Sequence, residues 1–322
     1  MADQNNKQTH NNHEDLGLDR SAQKGRQRTI NPDGSFNLIR TGGNPIGIRN
    51  IYYWVISTSW TQYWLSILAY YIIMNVIFAC GYFLIGVDQL NGIPETTAAK
   101  QWLYCFFFSS QSFTTVGYGG IHPTGIGASV LAVVEAFTGL MTFALATGTL
   151  YGRFSKPLSH LKYSDHMIIA PFRQMTGLQF MVANQLKSNL MDVEARVNIS
   201  WLDKDAYGQP IRKFQQAELE IDKIMMFPTN WVINHPIDSS SILYGKSEEE
   251  LRQMDLEVFA LLKGFDDAFS QTIYSRHSFM SDQLIVGAKF RRPFYYNAQG
   301  KMVIDLNKVG EMDRVDLPDG VK

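Results

Sequence analysis

The stretch Thr114-Thr115-Val116-Gly117-Tyr118-Gly119 constrains this 322-residue chain more than any other. Glycine enters the left-handed backbone region without steric cost, so Gly117 and Gly119 allow a backbone that alternates between right- and left-handed residues. A chain alternating in this way turns successive carbonyl oxygens towards one axis. A row of carbonyls is a cage for a dehydrated cation, built from dipoles that add no net charge. Thr115 can add a hydroxyl oxygen at one end of the row. The same geometry points Val116 and Tyr118 away from the axis, to pack against the helix that precedes them. The plain alternative is a strand with a glycine-rich turn, and the flanking segments decide between the two.

Tyr63–Val87 carries no charged residue and is rich in Ile, Leu, Phe and Tyr. About 20 apolar residues cross a bilayer, so this is a membrane span, with Asn75 as its main polar interior residue. Asp88–Pro94 reads as an exit loop. In Thr97–Phe113 the apolar run Trp102–Phe108 is too short to cross and suits a re-entrant helix covered by protein. Its C-terminal dipole would favour a cation beyond its end. Ile126–Gly152 is a second span, closed by Arg153 and interrupted by Glu135. An acid at membrane depth is costly, and Glu135 is assigned a buried hydrogen bond to the back of the filter or the re-entrant helix. Span, re-entrant helix, 114–119 segment and span make a minimal pore unit. Each chain contributes one strand of carbonyls, so a homotetramer is expected.

The tail 1–30 is rich in Asn, Gln and His, lacks an apolar core, and is expected to be disordered. In segment 31–62, Asn31-Pro32-Asp33-Gly34 reads as a turn. Ile48–Thr58 has helical apolar spacing, with Trp54 and Trp60 at the depth of a membrane interface. Basic residues before the first span (Arg26, Arg28, Arg40, Arg49) and after the second (Arg153, Lys156, Lys162) place both ends in the cytoplasm, in a cell (inner) membrane protein. A net charge of −1 gives no reason to expect nucleic acid. The two cysteines, Cys80 and Cys105, form no disulfide or zinc pattern, and no cofactor is expected.

From residue 158 to 322 the pattern is that of an all-β domain. Val193, Ala195, Val197, Ile199 and Trp201 alternate with polar residues, as in a half-buried strand. Further strands are expected at 178–184, 213–219, 231–234, 257–262, 271–279 and 284–290. Turns are expected at Tyr207-Gly208 and Asn297–Gly300, and a helix at 248–254 capped by Ser247 with Glu250. Many short strands and few helices imply a β-sandwich.

Thr-Val-Gly-Tyr-Gly is the known signature of potassium-channel selectivity filters, so this is a match to a motif and not a derivation. Beyond the filter, the chain resembles prokaryotic (KirBac-type) inward-rectifier potassium channels over nearly its whole length after residue 30. The resemblance rests on Ser59-Trp60, Phe106-Phe107-Phe108-Ser109 and Arg153-Phe154-Ser155-Lys156-Pro157. It extends to His235-Pro236-Ile237-Asp238 and Ser275-Arg276-His277-Ser278. It implies a two-span α-helical pore domain at 63–157, with outer helix 63–87, pore helix 97–113, filter 114–119 and inner helix 126–153. An immunoglobulin-like cytoplasmic sandwich at 158–322 would extend the pore into the cell.

Carried over position by position, the resemblance implies K⁺ as the transported ion, held by Thr115, Val116, Gly117, Tyr118 and Gly119. Gln111 and Glu135 would support the filter. Phe143, Thr147, Gly148 and Tyr151 would form cavity and gate. Glu194, Glu218, Asp222, Gly264, Asp267 and Ala268 would line the cytoplasmic pore, with Gly264–Ser270 as its constricting loop. Arg49, Arg153 and Lys156 would meet membrane lipids, including anionic phosphoinositides. Phe143 stands where strongly rectifying members have an acid, and Lys263 replaces an acid at the cytoplasmic constriction. Polyamines and Mg²⁺ are therefore expected to be weak blockers. Two other readings stay open. The first is a two-span potassium channel gated by a ligand at the β domain. The second is a membrane-anchored enzyme or sensor, against which stand the scattered histidines and the lack of a nucleophile elbow.

Overall fold

The computed structural model describes residues 28–317 except 33, 40, 42–47, 157, 158, 187, 188 and 205; the side chains of 48 and 49 are not described. The disorder expected for residues 1–27 and the side chain of Arg49 lie outside these residues. The chain divides into two compact units, Thr41–Lys156 and Met1–Arg40 with Pro157–Lys322.

The first unit is helical. Helix α1, Ile48–Ser57, is followed by α2, Trp60–Ile85. The expected start of α2 at 63 followed the apolar run, but the helix begins at its cap. Ser59 Oγ accepts the Gln62 N–H and Gln62 Oε1 accepts the Ser59 N–H, a capping box. Gly86, at φ 118°, ends α2 with its N–H on the Tyr82 carbonyl. A two-residue strand β1, Leu90–Asn91, pairs with β2, His122–Pro123, on either side of α3, Ala98–Phe113. Helix α4, Ile126–Phe154, completes the unit. With 26 and 29 residues, α2 and α4 extend about 39 and 43 Å at about 1.5 Å per residue, more than a hydrocarbon core of roughly 30 Å.

Phe78 and Tyr82 of α2, Cys105 and Phe108 of α3 and Ala128 of α4 make the buried core of this unit. The outward faces stay apolar: Ile73 and Leu84 on α2, and Val133 and Phe137 on α4, are exposed. That is the inverse of a water-soluble bundle and fits lipid or other copies of the chain as the surrounding medium. Gly139 lets α4 approach the end of α3, because a Cβ there would lie 1.9 Å from the Phe113 carbonyl oxygen.

The second unit is a sandwich of two five-stranded sheets. Its strands in chain order are β3 Leu161–Tyr163, β4 Met167–Phe172, β5 Met175–Asn184, β6 Leu190–Lys204, β7 Pro210–Ala217, β8 Lys223–Phe227 and β9 Asn230–Ile237. Helix α5, Glu248–Gln253, precedes β10 Glu257–Asp266, β11 Gln271–Met280, β12 Leu284–Val286 and β13 Ala288–Phe290. Three short strands follow, β14 Phe294–Tyr296, β15 Met302–Ile304 and β16 Met312–Arg314. One sheet runs β11-β10-β6-β7 with β8 also on β6; the other runs β12-β4-β5-β3 with β9 on β5. All the pairings are antiparallel except β12 with β4.

Every inward residue expected on β6 is buried, from Val193 to Trp201. The outward face departs from expectation at Asn198 and Ser200, which are buried too. Gln216 and Phe214 of β7 and Phe259 and Glu257 of β10 are their cross-strand neighbours. The single strand expected at 284–290 is two, β12 and β13, broken at Gly287 with φ 72°. Strands β3, β4, β8, β14, β15 and β16 were not legible, most being too short for a period to show.

Residues 28–30, assigned to the tail from composition, pack on this unit. Thr29 N and Oγ1 each donate to the buried Glu257 carboxylate at 2.9 Å. Arg28 Nε donates to Ser278 Oγ at 3.0 Å, and Ile30 pairs with Phe36 across a tight turn.

Candidate functional site

The filter begins where α3 runs out of helical geometry. Thr114 caps α3 at φ −85° and ψ 0°. Thr115, Gly117 and Gly119 then take φ 58°, 52° and 80°, so every second residue is left-handed. Gly117 and Gly119 conform to the sequence reading. Thr115 is a third left-handed residue that the sequence did not reveal, because it is β-branched. Such a residue costs roughly 1–2 kcal/mol in this conformation. Within its own chain a Cβ at Gly117 or Gly119 would meet nothing within 4 Å, and it is the positive φ that favours glycine there.

The strained turn is held from behind by main-chain bonds. The Gln111 carbonyl accepts the N–H of Val116 at 2.9 Å and of Gly117 at 3.3 Å, and the Ser112 carbonyl accepts that of Thr115 at 3.0 Å. These are carbonyls otherwise left open at a helix C-terminus. Gln111 therefore touches the filter through its backbone. Val116 and Tyr118, expected to pack against α3, are 54% and 81% exposed.

Glu135 is fully buried. Its Oε2 accepts Tyr82 Oη at 2.6 Å, and its Oε1 is bonded to Ser109 Oγ. Ser109 Oγ also lies 3.0 Å from Asn75 Oδ1, and Asn75 Nδ2 donates to the Tyr71 carbonyl at 2.7 Å. Tyr71 Oη bonds Ser110 Oγ. Glu135 and Asn75 were legible as polar interruptions of apolar helices. Ser109, Tyr82 and Tyr71 were not, since serine and tyrosine are unremarked at a membrane helix. Gln89 is another residue the sequence did not single out: its main-chain carbonyl accepts Thr124 N–H and its Oε1 accepts Ala128 N–H, capping α4.

Phe143, Thr147 and Tyr151 recur every four residues along α4 and therefore share a face. All three are exposed, Phe143 to 73% and Tyr151 to 74%. Gly148, beside them, has open space around its Cβ position.

Arg153, expected at a lipid headgroup, is half-buried and bonded within its own chain. Its Nη1 and Nη2 donate to the Val55 and Thr58 carbonyls at 2.5 and 2.7 Å. Its Cζ lies 4.6 Å from the ring centroids of both Trp60 and Tyr63. Arg153 thus ties the end of α4 to the corner between α1 and α2, while Lys156 is exposed.

Of the acids expected to line the pore from the β unit, Glu194 is opposed by cations. Glu194 accepts Arg196 Nε at 2.8 Å and has Lys263 and Lys223 as its cross-strand neighbours. The hydrogen bond to Arg196, and then those lysines, hold its carboxylate below the usual range. Glu218 and Asp222 are exposed. Gly264 lies inside β10 at a register shift, so the expected loop is reduced to a turn after Asp266. Asp267 Oδ1 accepts Asn189 N–H, and Ala268 N–H donates to Asp266 Oδ1. His235 is a structural residue, with Nδ1 on the Glu218 carbonyl at 2.6 Å and Nε2 on Ser241 Oγ at 2.8 Å.

Residues 65–156 match a family model described as "Ion channel", and residues 161–321 match "Inward rectifier potassium channel C-terminal domain". Among curated proteins, the inward rectifier potassium channel Kirbac3.1 of Paramagnetospirillum magnetotacticum is 29% identical over 88% of this chain and 95% of its own. The human G protein-activated inward rectifier potassium channel 3 is 26% identical over 83% of this chain and 73% of its own. A DNA glycosylase structure from Pseudomonas fluorescens, covering 62% of this chain and 51% of its own, aligns at 8% identity with a TM-score of 0.18. With two membrane-length helices, a left-handed alternation in the filter and a β-sandwich that matches the family's C-terminal domain, the chain belongs to the inward rectifier potassium channels, a family of channels and not of enzymes.

Proposed function

We propose that four copies of this chain assemble around the Thr115–Gly119 strand and conduct K⁺ passively, with both termini in the cytoplasm. The observation that carries this reading is the left-handed backbone at Thr115, Gly117 and Gly119, which turns successive carbonyls to one side. The uncovered Val116 and Tyr118 support assembly, since neighbouring copies would bury them. The shared exposed face of Phe143, Thr147 and Tyr151 supports a cavity and a gate on α4, with Tyr151 at the cytoplasmic end. Lys156, with Arg49, is the proposed contact for anionic lipid, including phosphoinositides. Polyamines and Mg²⁺ are proposed as weak blockers, because Phe143 offers the cavity no carboxylate. Purified protein in liposomes tests the central statement: K⁺ and Rb⁺ should pass and Na⁺ should not. Comparable Na⁺ and K⁺ flux would overturn it.

A further inference from the structure

The cluster behind the filter contains more hydrogen-bond acceptors than donors if Glu135 is ionised. Three oxygens then need protons: Glu135 Oε1, Glu135 Oε2 and Asn75 Oδ1. Two hydroxyls supply them, Tyr82 Oη on Oε2 and Ser109 Oγ, which must choose among Oε1, Asn75 Oδ1 and, at 3.3 Å, the Asn75 main-chain carbonyl. Asn75 Nδ2 donates to the Tyr71 carbonyl, which fixes the orientation of the amide with Oδ1 towards Ser109. Asn75, Ser109 and Glu135 are each fully buried. Among the described residues no cation lies in this cluster, and its other titratable groups are Tyr71 and Tyr82 on α2 and Cys105 on α3. An ionised Glu135 would leave one buried acceptor without a donor and one charge without a partner, both unfavourable at membrane depth.

We propose that Glu135 is a neutral carboxylic acid that donates its own proton to Ser109 and so closes a one-directional hydrogen-bond chain across the three helices. The chain runs Tyr82 Oη–H to Oε2, Oε1–H to Ser109 Oγ, Ser109 Oγ–H to Asn75 Oδ1, and Asn75 Nδ2–H to the Tyr71 carbonyl. Three donors now meet three acceptors between Tyr82 and Asn75, and no charge stands behind the filter. Ser109 lies two residues before Gln111, whose carbonyl holds Val116 and Gly117. This rests on the reading of Glu135 as a positioning residue for the filter and adds the protonation state through which it acts.

The count makes a specific demand. Glutamine reproduces the neutral acid, its carbonyl accepting from Tyr82 and its amide N–H donating to Ser109, whereas alanine removes both. The test uses full-length tetramers of wild type, Glu135→Gln and Glu135→Ala in liposomes. The infrared difference between wild type and Glu135→Gln at neutral pH should show the carbonyl stretch of a protonated carboxyl in wild type alone. Glu135→Gln should keep wild-type K⁺ flux and exclusion of Na⁺, and should keep them at alkaline pH where wild type loses them. Carboxylate bands alone at neutral pH would overturn the proposal, as would a loss in Glu135→Gln equal to that in Glu135→Ala. A protonated-carboxyl band together with unchanged selectivity in assembled Glu135→Ala would uphold the neutral acid and overturn the support of the filter.

Discussion

The carbonyl oxygen of Gln111 lies 2.9 Å from the amide nitrogen of Val116, so the last turn of the pore helix and the first carbonyls of the filter are one hydrogen-bonded unit. A strained strand that faces water or ions on one side keeps its conformation only if something over-determines it. Here the open carbonyls at the end of α3 do so.

Gly117→Ala should fold, because the added methyl meets open space within its own chain. It should nevertheless lose selectivity, since alanine resists φ 52° by roughly 1–2 kcal/mol in each of four strands. Rb⁺ and Na⁺ uptake into vesicles measures this; intact selectivity would show that the left-handed turn is not what places the carbonyls.

Tyr151→Ala should raise K⁺ flux. Four exposed rings converging at the end of α4 would narrow the path and favour its dewetting. Unchanged flux in an assembled variant would place the constriction elsewhere.

Arg153 and Lys156 should separate experimentally. Arg153 donates to two carbonyls and stacks between Trp60 and Tyr63, where cation–π contact contributes about 0.5–2 kcal/mol. Arg153→Gln should therefore lower thermal stability, while Lys156→Gln should leave stability unchanged and weaken the response to phosphoinositide by about 1 kcal/mol of binding, a few-fold. A stable Arg153→Gln protein with abolished lipid response would reverse these roles.

Spermine should block outward current weakly in the natural channel and far more steeply in Phe143→Asp. A carboxylate about 7 Å from an amine contributes roughly 2 kcal/mol at an effective dielectric near 20. The lysines flanking Glu194 limit how far the cytoplasmic acids can compensate. Equal block in the two proteins, measured in bilayers, would show that residue 143 does not face the cavity.

Acid should destabilise the β unit through His277. This ring is buried and stacked on Tyr163 at 4.5 Å. Burial, and then the charge of Arg28, push it down to about 4. Below an unfolded value near 6.5 the unfolded chain binds the proton and the folded one does not, so stability falls as pH drops from about 6.5 to 4. His277→Phe, which keeps the stack, should flatten that part of a stability-against-pH curve; an unaltered slope would assign the effect to another group.

What the sequence determined by itself is what local physics decides. The glycines fixed two of the three left-handed positions, apolar length fixed the two spans, and the alternation from Val193 to Trp201 fixed the buried face of β6. The helix start at Trp60 was also present in the sequence, in Ser59 and Gln62, but the apolar run overshadowed it. Tertiary structure decided everything that depends on a distant partner. Glu135 was visible as a costly acid, yet its bonds to Tyr82 and Ser109 span 53 and 26 positions of chain. Arg153 was visible as a basic residue closing a span, yet its bonds to the carbonyls of Val55 and Thr58 cross 98 and 95 positions of chain. Glu194 looked like an open acid until strand register set Lys223 and Lys263 beside it. A charge or a polar atom announces in sequence that it needs a partner; only packing selects which one it finds.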